Sequence, residues 1–151
     1  MQNNRASVVG AGLVGSLLSV MLARRGFVVE LYERRADPRK DARTDTSRSI
    51  NLALSARGLY ALRQVGLDEE ALQHAVPMRG RVIHDSRGEV EFQPYGLQPH
   101  ECLNSLSRAW LDCRLKDAAE AAGVRIHFEH HATGLTSVAK GGAPPSNPPS
   151  V

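Results

Sequence analysis

Residues 6 to 34 constrain the fold of this chain more than any other stretch. They read ASVVGAGLVG, then an apolar run to Gly26, then FVVELYER. The pattern is a short strand over residues 7–9, a glycine turn, a helix, and a second strand that ends in an acid. Gly10 permits the tight turn. Gly12 has no side chain, so a pyrophosphate can approach the backbone, and Gly15 lets the helix pack closely on the strand. The helix N-terminus offers unpaired N–H groups and a positive dipole end to phosphates. Glu33 follows the motif by about 20 residues, where a carboxylate accepts hydrogen bonds from the two hydroxyls of a ribose. Leu17, Leu18, Met21 and Leu22 share one helical face, and Gly26 stands where a helix C-cap belongs. A lone glycine triplet would be weak. With strand, helix, second strand and acid all in place, the sequence predicts an α/β, Rossmann-like βαβ fold with a parallel sheet.

The rest of the chain is read more coarsely. Residues 36–47 are polar and aperiodic and predict an exposed loop. Arg48 to Ser55 (RSINLALS) is apolar enough to be buried. Ser55 can cap a helix carrying Leu59, Leu62 and Val65, closed by Gly66. A short helix with an acidic start follows over residues 68–75 and is broken by Pro77. Residues 81–92 predict a β-hairpin around Gly88, and 93–104 a loop or irregular strand. Ser107 is the N-cap of a long helix over 108–122 whose apolar face is Leu111, Leu115, Ala118, Ala119 and Ala122, stopped by Gly123. Val124, Ile126 and Phe128 alternate with polar residues and predict a strand. From Thr133 the pattern fails. Residues 140–151 are rich in Pro, Gly and Ser and cannot bury a core, so 133–151 is expected to be disordered.

With 151 residues, the chain is about one domain long. The net charge of +3 comes from scattered arginines. No helix carries a sustained basic stripe with interleaved aromatics, so nucleic-acid binding has little support. Cys102 and Cys113 fit neither a metal-ligand spacing nor a disulfide framework. The first residues lack a signal-peptide shape. No apolar run reaches the roughly 18 residues that span a bilayer. An intracellular protein with reduced thiols is the expectation.

Three segments in order behind the glycine motif, Arg48 to Gly58 (RSINLALSARG), Pro77 to Asp85 (PMRGRVIHD) and Pro94 to Gly96 (PYG), resemble the kynurenine 3-monooxygenase family of FAD-dependent aromatic hydroxylases. The resemblance runs from about residue 6 to 132. It implies 3-hydroxylation of L-kynurenine with NADPH and oxygen through a flavin hydroperoxide, a step of tryptophan catabolism leading toward pyridine nucleotides. The flavin does the chemistry and the protein binds and orients, so no catalytic side chain and no metal are expected.

Carried over residue by residue, the resemblance implies that Gly10, Gly12, Val14 and Gly15 line the FAD pyrophosphate. It implies that Glu33 binds the adenosine ribose, with Tyr32, Arg34 and Arg35 beside it. Ala53 would touch the flavin side, Arg108 the phosphates and Ala132 the adenine. A cation at the head of a helix opposes the dipole, which for Arg108 hints at another partner. Arg81 and Tyr95 match the family's substrate contacts: a guanidinium fork and a phenol suit the carboxylate of kynurenine. His84, His127, His130 and His131 are read as structural or solvated.

Family members are several hundred residues long, and animal members sit on the mitochondrial outer membrane through a C-terminal anchor that this sequence does not contain. The expectation is a partial FAD-binding domain over 1–132, with the hairpin at about 80–93 belonging to the substrate side, and no turnover by these residues alone. Two rivals stay open. One is a non-catalytic nucleotide-binding or interaction module. The other, weaker, is an NAD-dependent dehydrogenase.

Overall fold

The computed structural model describes residues 4–40, 50–98 and 101–134. The expected disorder over 135–151, most of the 36–47 loop and Arg48 therefore lie outside the described residues. The N-terminal unit is the expected βαβ: β1 (Arg5–Val9), α1 (Leu13–Ala23) and β2 (Val28–Tyr32). β1 pairs in parallel with β2, Ala6 opposite Val29 and Val8 opposite Leu31. Val29 and Leu31 alternate inward and are almost fully buried, each worth about 1.5–3 kcal/mol of apolar transfer.

The buried line of α1 differs from the expected stripe. Leu17, Met21 and Leu22 pack partly on the core, but Leu18 is 45% exposed and the buried centre is Ser16, Ser19 and Val20. The cause is close approach. A Cβ built on Gly15 would stand 1.9 Å from the Gly10 carbonyl oxygen, so the helix lies where only small side chains fit beneath it. The serine hydroxyls are satisfied locally: Ser16 Oγ donates to the Ala11 carbonyl at 3.2 Å and Ser19 Oγ to the Gly15 carbonyl at 2.8 Å. Gly26, at φ +83°, turns the chain into β2.

Next come β3 (Asn51–Leu54), α2 (Ala56–Arg63), α3 (Asp68–His74) and β4 (Val76–Met78). Ser55 occupies the N-cap position of α2, but its hydroxyl makes no capping bond. Asp68, Glu69 and Glu70 fill the first turn of α3, where carboxylates suit the dipole. Pro77 does not merely break this helix; it sits inside β4. The hairpin follows as β5 (Gly80–His84) and β6 (Val90–Pro94), with Val82 opposite Phe92. Val82, Val90 and Phe92 are each more than half exposed.

β7 (Leu103–Ser107) starts in the last two residues of the stretch read as a loop or irregular strand and runs on to the N-cap residue of the next helix. It is the centre of an antiparallel sheet of order β3-β7-β4, with Asn104 opposite both Leu54 and Pro77. A proline is tolerated in β4 because that strand lies at the sheet's edge. Helix α4 (Arg108–Ala121) begins as expected: the Ser107 hydroxyl accepts from the Trp110 amide at 3.3 Å. Leu111, Leu115 and Ala119 are buried, and so is Lys116, paired with Asp112 at 2.5 Å. α1 packs against α4. Strand β8 (Arg125–His127) then adds to β2 in parallel, giving the order β1-β2-β8. Its end corrects the expected pattern, because Phe128 lies beyond the strand and Glu129 follows at φ +61°. Left-handed backbone at a non-glycine residue costs roughly 1–3 kcal/mol and collects at functional sites.

Candidate functional site

The carboxyl ends of the three parallel strands converge on one cleft of about 360 Å³. Open α/β sheets bind ligands at this end. Its floor is the glycine bend. Gly10, at φ +96°, donates its amide to the Tyr32 carbonyl at 2.7 Å, which ties the bend to β2. A Cβ added at Gly12 would meet nothing within 4 Å, so the backbone there is open to a ligand. No side chain caps α1 and no acid stands in its first turn. Its first N–H groups and positive dipole end are thus available to an anion. Gly12 and Gly15 divide the labour: open space over the first, a packed helix–strand contact at the second.

Glu33 closes the bend from the other side. One carboxylate oxygen accepts from the Ala11 amide at 2.8 Å and the other from the Arg35 amide at 3.0 Å. The segment after β2 is clasped in turn from β8. Glu33 donates its amide to the His127 carbonyl at 2.8 Å, His130 to the Glu33 carbonyl at 2.9 Å, and Glu129 to the Arg35 carbonyl at 3.1 Å.

Gly10, Tyr32, Glu33, Arg34, Arg35 and Ala132, all singled out from sequence, line this one cleft. Val14 stands on the first turn of α1, 80% exposed. The remaining expected residues lie elsewhere. Ala53 is in β3, opposite Ser105. Arg108 opens α4, its amide donating to the Ile50 carbonyl at 3.4 Å. Arg81 and Tyr95 belong to the hairpin region, where the Arg81 guanidinium donates twice to the Gln93 side-chain oxygen, at 3.1 and 2.9 Å. Tyr95 is 43% exposed and its amide donates to the Arg79 carbonyl at 2.9 Å.

Sequence reasoning missed Val9, His130 and His131, which also line the cleft. The signal was position: residues just past a strand that pairs with β2 sit at the same carboxyl end as the glycine bend. The aromatic rings there are grouped. Tyr32 stacks on His127 with centroids 4.8 Å apart and planes 16° apart, and His130 is tilted against both. Beneath this group Glu30 binds His127 and Arg125, and its carboxyl is held below the usual range chiefly by the His127 hydrogen bond, with the nearby Arg125 and Arg5 charges adding to it.

The stretch after Arg35 is not the exposed loop that its polarity predicts, as far as residue 40. Asp37 is buried, and Arg39 bridges it to α4, reaching Asp37 at 2.8 Å, Asp117 at 2.9 Å and Glu120 at 2.6 Å. The Arg39 fork also lies 5.7 Å from the centre of the Phe128 ring. These contacts fix the chain immediately after the cleft residues.

Comparison with known proteins agrees with this geometry. The chain is 58% identical over 133 residues to a kynurenine 3-monooxygenase of Myxococcus xanthus, an alignment covering 87% of this chain and 28% of that protein. It is 50% identical over 135 residues to the kynurenine 3-monooxygenase of Salinispora arenicola, covering 89% of this chain and 30% of the relative. The chain therefore spans less than a third of either relative's length. In fold it resembles a 2-methyl-3-hydroxypyridine-5-carboxylic acid oxygenase with a TM-score of 0.69 at 21% identity, over 85% of this chain and 32% of that one. Among the described residues no helix is long and apolar enough to cross a membrane. A family match over residues 4–144 takes in every element from β1 to β8, and the chain belongs to the FAD binding domain family.

Proposed function

We propose that this chain forms the FAD-binding part of a kynurenine 3-monooxygenase, an NADPH- and oxygen-dependent enzyme acting on L-kynurenine. The observation that carries the reading is the convergence of the glycine bend, Glu33 and the Arg34–Arg35 pair on one cleft. The similarity to relatives of that name narrows it to this substrate. The cleft's donor set suits the cofactor. Open amides at the head of α1 receive a diphosphate, and the Glu33 carboxylate exchanges its amide partners for ribose hydroxyls. Ala53 faces the flavin, and Arg108 supports the phosphates. The chemistry that FAD supplies when bound is reduction by NADPH and transfer of one oxygen atom to an aromatic ring.

On this reading Arg81 and Tyr95 receive the amino-acid carboxylate of kynurenine. Gln93 already orders the Arg81 fork, so less side-chain entropy is lost on binding. On the same reading, residues 1–132 form the cofactor-binding unit and the hairpin belongs to the substrate side. The relatives named above are bacterial, which favours an intracellular enzyme over one seated on a mitochondrial membrane.

The test is a titration of the purified chain with FAD. The expected result is a yellow protein that retains one FAD per chain after desalting. A folded chain that stays colourless would overturn the reading. In the FAD-loaded chain, L-kynurenine should perturb flavin fluorescence and Arg81→Ala should abolish that response, with no hydroxylated product from these residues alone.

A further inference from the structure

The cleft contains more than the bend and the acid. Beyond Val9 and the Arg34–Arg35 pair, its lining includes the Tyr32 and His130 rings, beside His131 and Ala132. Neither ring is loosely placed. His127 stacks on Tyr32 and is itself anchored by Glu30 from β2. The His130 backbone is bonded to Glu33, and the residue before it takes the left-handed turn at φ +61°, the one such non-glycine among the described residues. A strained turn that survives beside a cleft points to a side chain being aimed there.

The His130 ring is also chemically poised. Its Nδ1 lies 2.6 Å from the Phe128 carbonyl oxygen. A carbonyl only accepts, so Nδ1 carries the hydrogen, and Nε2 has no partner among the described residues. With phosphates on the bend and ribose hydroxyls on Glu33, the flat end of the nucleotide is what remains for the ring-lined wall.

We infer that His130 is a further nucleotide-contacting residue, whose ring stacks on the purine of an adenosine diphosphate moiety, while Tyr32, tilted 52° to it and stacked on His127, borders the base from the side. This rests on the FAD reading and extends it to a residue that the family resemblance did not single out. Stacking of a base on an aromatic side chain is sequence-tolerant, but its strength grows with ring area, so a purine gains more than a pyrimidine.

The experiment compares ADP with UDP, which share ribose and diphosphate and differ only in the base. Both are titrated by calorimetry into the chain, into His130→Ala and into His130→Phe. The wild-type chain should prefer ADP. His130→Ala should lose roughly tenfold in ADP affinity with UDP less affected, so that the ADP-to-UDP ratio falls, while His130→Phe keeps the ratio. His130 is exposed, so both variants should keep the wild-type melting temperature, and a general loosening would weaken both nucleotides alike. An unchanged ratio in His130→Ala, with wild-type ADP binding intact, overturns the assignment of His130 alone. A wild-type chain that binds neither ADP nor FAD overturns the cofactor reading beneath it.

Discussion

The Glu33 carboxylate accepts a hydrogen bond from the Ala11 amide at 2.8 Å, across the mouth of the glycine bend. The two residues are 22 positions apart, yet this contact joins the turn after β1 to the end of β2. It places a fixed negative charge beside the open amides of α1, where it can be traded for a ligand's hydroxyls.

Replacing that carboxylate should therefore affect binding more than folding. Glu33→Ala is expected to weaken FAD binding by about 1.5–3 kcal/mol, the range for hydrogen bonds to a charged group. The amides left behind border an open cleft and can be hydrated. Flavin titration should show the loss, and the thermal melt should barely move.

The glycines of the bend should separate stability from affinity. Gly15→Ala would drive a methyl group to 1.9 Å from the Gly10 carbonyl oxygen, and neither backbone can yield, so a loss of at least about 1–3 kcal/mol is expected in urea unfolding. Gly12→Ala adds a methyl group in open space, on extended backbone at φ −76°. It should fold normally and lose about tenfold in FAD affinity, because the diphosphate must approach that backbone.

Arg39 should set part of the acid stability. The Arg39 hydrogen bond, ahead of its charge, holds the Asp37 carboxyl below the usual range. A depressed folded-state value means that the stabilisation is complete above the unfolded value of about 4 and is lost as pH falls through the lower folded value. Arg39→Ala should cost about 1–3 kcal/mol at pH 7, discounted for partial exposure. The gap to wild type should narrow in urea melts near pH 3.

The Lys116–Asp112 pair should be asymmetric. Lys116 is 2% exposed and its ammonium lies 2.5 Å from Asp112. Asp112→Ala strands a buried charge and should cost about 3–5 kcal/mol, whereas Lys116→Met replaces it with an apolar chain of similar volume and should be near neutral. Chemical denaturation of the two variants checks the order.

The sequence made the first unit legible because its signals are local and agree with one another. Strand, bend, helix and acid lie within 30 residues, and the hairpin around Gly88 and the Ser107 cap are equally local. What it hid depends on distant partners. β7 reads at most as an irregular strand because its buried side includes polar Asn104, and only its pairing with β3 and β4 makes it a central strand. Asp37 and Arg39 read as part of an exposed loop because Arg39, which holds Asp37, has its other partners, Asp117 and Glu120, 78 and 81 residues away. Leu18 was misplaced because helical periodicity does not register how closely Gly15 lets α1 descend. Of the cleft, the bend and the residues around Glu33 were visible, while His130 was not, since a turn at Glu129 that aims a side chain leaves no composition signature.

Pro77 sits at the middle of β4, a strand of three residues on the outer side of its sheet. A border so short, lacking one amide hydrogen, is a poor template for a newcomer. Lateral growth of that sheet, whether by a segment of a longer polypeptide or by another molecule, is steered instead to the opposite flank, where Asn51–Leu54 forms the rim.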